Sequence, residues 1–127
     1  MGNPVVHFEI TAHGIEKLHD FYGKIFGWKI NADNPFKYGM TDTGAGSGIN
    51  GGIGETSGEP RLTFYIQVPD IDKALAAVTA AGGSVAMAKE TVPGGPTLAQ
   101  FVDPAGHRSV AVFPLPLSRT PPIPPKK

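Results

Sequence analysis

The fold is decided by the stretch Val5-Val6-His7-Phe8-Glu9-Ile10 together with the amphipathic segment that follows it up to Gly27-Trp28. The same pattern of an alternating segment and a helical segment returns 56 positions later, the offset from Phe8 to Phe64. A chain that repeats one strand–helix unit is expected to contain two copies of one structural module. The matching pairs are Phe8 and Phe64, Ile10 and Ile66, Ile15 and Ile71, Lys17 and Lys73, and Gly27 and Gly83.

Composition limits the classes to which the protein can belong. The chain has 127 residues, 40% of them hydrophobic, which suits one ordinary domain with its own core. Eleven basic and eleven acidic residues balance, so we expect neither nucleic acid nor a membrane as a partner. No apolar run approaches the ~20 residues of a membrane span. Because cysteine is absent and no signal peptide is recognisable at the start, a cytoplasmic location is expected.

The first strand has one polar and one apolar face. Side chains alternate along a strand, so His7, Glu9 and Thr11 share a face, whereas Phe8 and Ile10 lie on the other face. The apolar face is expected to pack on a helix. The polar face is expected to meet water, a ligand or another sheet.

Both halves of the chain predict the element order β-α-β-β-β. We expect one domain over residues 1–114, with modules of about 4–58 and 60–114, followed by a proline-rich tail over 115–127 that is either a disordered end or a polyproline ligand. In the first module the apolar residues of the helix have helical spacing, and Phe21, Tyr22, Phe26 and Trp28 are expected in the core. The predicted strands are 5–11, 28–30, 36–41 and 49–53, then 61–68, 84–91, 97–102 and 108–113, and the helices are 14–26 and 69–81.

Three further features resemble a known family. They are His7 set fourteen positions before Phe21-Tyr22, the phrase Phe26-Gly27-Trp28, and the turn Asp103-Pro104-Ala105-Gly106 before the last strand. Together with two βαβββ modules, they resemble the vicinal oxygen chelate superfamily, which includes glyoxalase I, bleomycin and fosfomycin resistance proteins, methylmalonyl-CoA epimerase and extradiol dioxygenases. The resemblance implies an α+β fold with two open, cup-shaped sheets that hold a ligand, and a homodimer.

The resemblance also implies where a divalent metal would bind. Enzymes of the family usually take one ligand from the first strand and one from the last strand of each module. In this chain these places are His7 and the Asn50–Gly52 region in the first module, and Thr63 and Val110 in the second. His7 alone is a usual ligand, whereas metal sites generally use three or four protein ligands. We therefore expect no metal cofactor, with a weakly held divalent ion at His7 as the alternative.

His7 and Glu9 are the candidate catalytic residues. They lie about 6–7 Å apart along the strand at ~3.3 Å per residue, and Glu9 could act as a base with His7 as an acid or as an orienting group. The alternative is a half-exposed polar strand face with no function. Candidate ligand-binding residues in the second module, with Arg108 as an anion clamp, are Thr63, Tyr65, Gln67, Gln100 and Arg108.

Three hypotheses for function follow from these residues. The first is a small-molecule-binding protein of the glyoxalase/bleomycin-resistance type that lacks the usual metal. The second is a lyase, epimerase or dioxygenase of the same superfamily that uses His7 and Glu9. The third is a structural or interaction module without a ligand. A metal-dependent rate would separate the second hypothesis from the first.

Overall fold

A computed structural model describes residues 2–113, so the predicted proline-rich tail over 115–127 lies outside the described residues. The chain divides into two compact units. The first unit is His7–Leu62, and the second unit holds the residues from Thr63 onward together with those up to Val6. The elements are β1 (Val5–Ala12), α1 (Ile15–Phe26), β2 (Lys29–Asn31), β3 (Gly39–Asp42), β4 (Gly51–Glu55), β5 (Arg61–Gln67), α2 (Ile71–Ala80), β6 (Ser84–Thr91), β7 (Thr97–Val102) and β8 (Arg108–Phe113).

The strands of the first unit follow the order β2-β3-β4-β1. β1 runs parallel to β4, and β3 is antiparallel to both β2 and β4. A parallel pair needs a long crossover, and here α1, β2 and β3 provide it. Glu9 of β1 is level with Gly52 of β4, and Gly52 is level with Met40 of β3.

The second unit repeats this topology. Its strands follow the order β6-β7-β8-β5, with β5 parallel to β8 and the remaining pairs antiparallel. β7 and β8 are buried on both faces, which explains their nearly continuous apolar sequences. One face packs on α2 through Val68, Ile71, Ala99 and Ala111, and the other carries Tyr65, Val92, Leu98, Val110 and Val112. The prediction of an α+β fold with two βαβββ modules is confirmed.

The helices begin and end where local chemistry allows it. Gly27 follows α1 in the left-handed conformation, φ 71°, and its N–H donates to the carbonyl of Gly23, as expected of a glycine that ends a helix. Asp70 caps the start of α2, because its carboxylate accepts the N–H of Lys73 at 3.0 Å. In the turn before β8, the backbone N–H of His107 donates to the Asp103 carboxylate and lowers the pKa of that group.

The prediction that the aromatic residues of the first helix are core is wrong in part. Phe21 and Phe26 are 52% and 56% exposed, although Tyr22 and Trp28 are half-buried and stack with ring centroids 5.3 Å apart. The strands of the first unit cover only part of the wide apolar side of α1. The bounds of β3 and β4 also differ from those predicted, because residues 36–38 belong to a turn and β4 begins at Gly51.

Within residues 2–113, no helix is both long enough and apolar enough to cross a membrane.

Candidate functional site

The polar face of β1 is buried. His7 is 3% exposed and Glu9 is 7% exposed, so the half-exposed strand face that we considered as an alternative is wrong. Phe8, between them, points to the opposite face and contacts Trp28, with ring centroids 5.5 Å apart. A buried polar side chain is costly unless it is hydrogen-bonded, so the partners of His7 and Glu9 are informative.

Tyr38 connects the two predicted residues. Its hydroxyl donates to Oε2 of Glu9 at 2.9 Å, and Nε2 of His7 lies 3.0 Å from the same hydroxyl oxygen. Tyr38 is 1% exposed, and its ring lies nearly parallel to the His7 imidazole, with an interplanar angle of 16°. The three side chains form one buried row of hydrogen bonds, which we call the His7–Tyr38–Glu9 row.

Gly52 makes room for Tyr38. A β-carbon on Gly52 would overlap the ring atoms Cε2 and Cζ and the hydroxyl oxygen of Tyr38. No residue other than glycine fits there while the ring keeps its position. Glycine lowers the strand propensity of β4, but at position 52 it is required, because the Tyr38 ring packs directly against its backbone.

Asn34 fixes the backbone of Tyr38. Its side-chain oxygen accepts the N–H of Tyr38 at 2.9 Å, and its amide group donates to the Tyr38 carbonyl at 2.7 Å. Lys37 has φ 55°, a conformation uncommon for a residue with a β-carbon. The turn between β2 and β3 therefore fixes both peptide groups that flank the α-carbon of Tyr38.

Burial sets the charge state of His7. Because an imidazolium loses its hydration in this interior, desolvation lowers the pKa of His7 from 6.5 to about 4. His7 is neutral at physiological pH, so one ring nitrogen carries a proton and the other does not. Nε2 faces the Tyr38 hydroxyl, and whether it donates or accepts there depends on the tautomer of the ring.

The candidate residues of the second unit lie mainly on one sheet face. Tyr65 of β5 and Gln100 of β7 are both level with Val110 of β8, and both are buried. Arg108 is exposed, and its Nη1 donates to Oε1 of Gln100 at 3.4 Å. The half-buried Thr63 and Gln67 lie two residues on either side of Tyr65 along β5.

The side chains at the places implied for a metal do not fit a divalent ion. In the first unit, Nε2 of His7 faces Tyr38, and the Tyr38 ring covers Gly52. In the second unit, Thr63 offers a neutral hydroxyl and Val110 offers no ligand atom. Over residues 2–113 no three His, Cys, Asp or Glu side chains are grouped so that they could hold a metal. That the chain carries no metal stays a prediction.

Comparison with known proteins assigns the family. A family model described as Glyoxalase/Bleomycin resistance protein/Dioxygenase superfamily matches residues 5–110. The chain belongs to this superfamily. The resemblance inferred from His7, Phe26-Gly27-Trp28 and the Asp103 turn is thereby confirmed. A search of curated proteins gives no match.

Several solved structures have the same fold as this chain. Methylmalonyl-CoA epimerase from Mycobacterium tuberculosis has a TM-score of 0.65 at 14% identity, over 91% of this chain and 89% of that chain. A superfamily member from Vibrio splendidus 12B01 has a TM-score of 0.61 at 18% identity, over 87% and 97% of the two chains. The Mn(II)-bound glyoxalase from Novosphingobium aromaticivorans has a TM-score of 0.65 at 18% identity, over 87% of this chain and 38% of that one. At these identities the likeness is one of fold.

The roles of Tyr38 and Asn34 are not predicted by the sequence. Its pattern places Tyr38 inside a strand and assigns it no role, because the hydrogen-bond partners of Tyr38 are 29 and 31 positions away along the chain. One signal was available in the sequence. Gly51-Gly52 leaves a gap in a strand, and such a gap indicates that another part of the chain or a ligand approaches the backbone closely.

Proposed function

We propose that this protein binds a small organic ligand, in the manner of a glyoxalase/bleomycin-resistance-type protein that lacks the usual metal. Membership of the superfamily supports a ligand-binding role for the fold. The observation that carries the proposal is the buried His7–Tyr38–Glu9 row, which places an imidazole, a phenol and a carboxyl group in the interior. Ligand sites are commonly built in this way, from a mainly apolar lining with a few polar groups that orient the ligand.

Stability alone is a poor explanation for this row. Well-packed apolar residues in place of buried charged or polar groups are often neutral or stabilising. A carboxylate and an imidazole in the middle of β1 therefore need another reason to be there. Recognition of a polar group on a ligand is such a reason, and Glu9 and His7 are the residues proposed for it.

The polar residues of the second unit are proposed to contact the same class of ligand. Tyr65 lies in an apolar cluster with Val92, Leu98 and Val110, which suits the apolar body of an organic molecule. Gln100 and Arg108 add hydrogen-bond donors, and a guanidinium can bind a carboxylate or phosphate through two parallel hydrogen bonds. Thr63 and Gln67 are proposed as further lining residues.

We further propose that the protein acts as a homodimer in the cytoplasm, with neither nucleic acid nor a membrane as a partner. The balanced charge and the absence of cysteine support this setting. Exposed apolar side chains on α1 support self-association, because patches of this kind often mark interaction surfaces.

An enzyme that moves a proton is the second candidate function. The row links an imidazole, a phenol and a carboxylate by two hydrogen bonds of 3.0 Å and 2.9 Å, so protons can be held and passed along it. Solved structures with the same fold include methylmalonyl-CoA epimerases, one of them in complex with methylmalonyl-CoA. Of the lyase, epimerase and dioxygenase alternatives, we propose an epimerase or lyase, because an acid and a base on adjacent side chains can carry out the proton transfers of these reactions directly.

Ligand titration followed by NMR tests the main proposal. A panel of aromatic carboxylates, aromatic amines and acyl-CoA thioesters would be titrated into ¹⁵N-labelled protein, with the amides of Glu9 and Tyr38 as reporters. We expect at least one class to perturb both reporters and to bind about tenfold more weakly to Glu9→Gln and Tyr65→Phe. Glu16→Gln, on the exposed side of α1, is the matched control. Binding that is unaffected by Glu9→Gln would contradict the proposed site.

Deuterium exchange tests the second candidate. Methylmalonyl-CoA or a related acyl thioester would be incubated with the protein in D₂O, and the carbon next to the carbonyl would be followed by NMR. Incorporation that depends on Glu9 would favour an epimerase or lyase. Tight binding without exchange would leave the binding protein as the function.

A further inference from the structure

The ring of Tyr38 lies in the part of the first unit where the family resemblance places a metal ligand. That place falls among Asn50, Gly51 and Gly52, and the Tyr38 phenol covers Gly52 itself. From there the hydroxyl reaches both polar side chains of β1, His7 and Glu9. The position is thus filled by a residue from the β2–β3 turn rather than by a side chain of β4.

The hydrogen bonds of the row are inferred to share one direction, from His7 through Tyr38 to Glu9. A phenol has one proton, and Tyr38 donates it to Oε2 of Glu9 at 2.9 Å. With the Glu9 carboxylate as the acceptor, we infer that the contact of 3.0 Å between Tyr38 and His7 is a donation from Nε2–H of the imidazole to the phenol oxygen. A ring nitrogen that carries a proton has no lone pair for a metal, and the other nitrogen of the ring is the one left unprotonated.

The surrounding structure selects this arrangement. Asn34 makes hydrogen bonds to both the N–H and the carbonyl of Tyr38, and Gly52 admits the ring. Tyr38 and His7 are almost completely buried, so water cannot easily replace either partner. In metalloproteins a hydrogen bond to the far nitrogen orients a histidine toward its metal. Here the hydrogen bond occupies the nitrogen that faces Gly52.

We propose that Tyr38 is the positioning residue of the site: its ring covers Gly52, where the family resemblance places a metal ligand, and its hydroxyl fixes His7 as an Nε2–H donor and directs the Glu9 carboxylate. The site thus works as a hydrogen-bond relay rather than as a metal centre. This inference rests on the proposed function for the role of Glu9 toward a ligand, whereas the relay itself is a property of the ligand-free protein.

The tautomer of His7 tests the relay directly. Two-bond ¹H–¹⁵N NMR spectra at pH 7.5, on protein stripped of metal, distinguish the protonated ring nitrogen from the unprotonated one. We expect wild-type His7 to show a single Nε2–H tautomer. Tyr38→Phe and Gly52→Ala should lose this single form, and Gly58→Ala, where an added β-carbon meets nothing closer than 3.7 Å, should keep it.

A wild-type His7 with the proton on Nδ1 would overturn the proposal, as would a tautomer that is unchanged in a folded Tyr38→Phe variant. The wild-type spectrum decides the first point even if a variant fails to fold. The ligand panel described above can fail while the tautomer is as expected, so failure of the relay and failure of the proposed function are distinguishable.

Zinc titration of the wild-type protein is a second, independent test of the relay. Zn²⁺ would be added to one equivalent per chain while the histidine ring signals are recorded. We expect the His7 signals to be unchanged, and those of the exposed His13 and His107 report any weak surface binding. Saturable change of the His7 signals at one zinc per chain would overturn the proposal and make His7 a metal ligand.

Discussion

The phenol ring of Tyr38 lies directly on the backbone of Gly52, two residues that are fourteen positions apart in the chain. The glycine provides the space, and the tyrosine uses it to reach His7 and Glu9 on β1. Because protein interiors are close-packed, a single methyl group at Gly52 would force the ring to move. The buried hydrogen bonds of Tyr38 therefore depend on the absence of a side chain at position 52.

Gly52→Ala is expected to destabilise the protein. The added methyl group overlaps the Tyr38 ring, and overpacking of a buried site typically costs about 1–3 kcal/mol. The measurement is the free energy of unfolding from urea denaturation. Gly58→Ala is the control, because its site is open and its unfolding free energy should change by less than about 1 kcal/mol. Equal effects of the two substitutions would mean that Tyr38 does not need Gly52.

Stability should depend on pH through His7. The pKa of His7 is about 4 in the folded protein, against an ordinary value of 6.5, because burial disfavours the charged imidazolium; between these pH values the unfolded state therefore binds more protons at this site. The free energy of unfolding therefore rises with pH across this window, and it falls as pH drops from 6.5 toward 4. The full shift corresponds to about 3 kcal/mol at 1.4 kcal/mol per pKa unit.

His7→Gln separates this contribution from that of the carboxyl groups. Glutamine keeps a hydrogen-bonding side chain but does not titrate, so the variant should lose stability less steeply than the wild type between pH 6.5 and pH 4. Urea unfolding at half-unit pH steps gives both slopes. Parallel slopes would show that His7 is protonated equally in the folded and unfolded states.

Phe8→Ala should cost far more than Phe21→Ala. Phe8 packs against Trp28 and the backbone of Gly51, and truncation of a packed aromatic side chain costs about 3–5 kcal/mol. Phe8 is half-buried, so we expect about 3 kcal/mol. Phe21 is 52% exposed and should cost clearly less, as measured by urea unfolding. If Glu9→Gln unfolds the protein and Phe8→Ala does not, the assignment of the two faces of β1 is wrong.

The sequence predicted the features that depend on neighbouring residues. Alternation along β1 correctly separated His7 and Glu9 from Phe8, and Gly27 correctly marked the end of α1. The repeat over 56 positions correctly predicted two modules of the same topology. In each case the signal lies within a few residues of the feature, where period and backbone conformation are set by local sterics.

The sequence did not predict the features that depend on long-range contacts. Tyr38 has its role because a turn, β1 and β4 meet, and no local pattern shows that meeting. The same reason explains the error on α1: its apolar stripe is real, but Phe21 and Phe26 extend beyond what the sheet covers. Hydrophobic periodicity predicts which side of a helix is apolar, and tertiary structure decides how much of that side is buried.

No divalent ion should remain on the protein after purification without added metal. His7 has its Nε2 engaged by Tyr38, and neither Thr63 nor Val110 supplies a strong ligand. Sites with few protein ligands are weak and readily stripped. Elemental analysis, with activity assays in zinc, nickel, manganese and iron, checks the prediction. If the protein carries about one metal per chain and His7→Ala loses it, a metalloenzyme becomes the favoured functional hypothesis.

A dimer is expected at micromolar concentration. Phe21, Ile25 and Phe26 are each more than half exposed on α1, and apolar surface of this kind is usually covered by a partner in a soluble assembly. β2 and β6 are the edge strands of their units, and an edge strand also favours pairing with another chain. Sedimentation velocity should show a species of twice the 13.3 kDa mass of one chain.

Charged substitutions on α1 test the source of that association. Ile25→Asp places a charge within the exposed apolar surface and should shift sedimentation toward a single chain, because burial of an unpaired carboxylate in an interface is costly. Lys17→Asp changes an exposed polar position of the same helix and should leave the dimer intact. A species of 13.3 kDa alone in the wild type, across micromolar concentrations, would contradict the dimer. Equal effects of the two substitutions would place the contact away from the apolar side of α1.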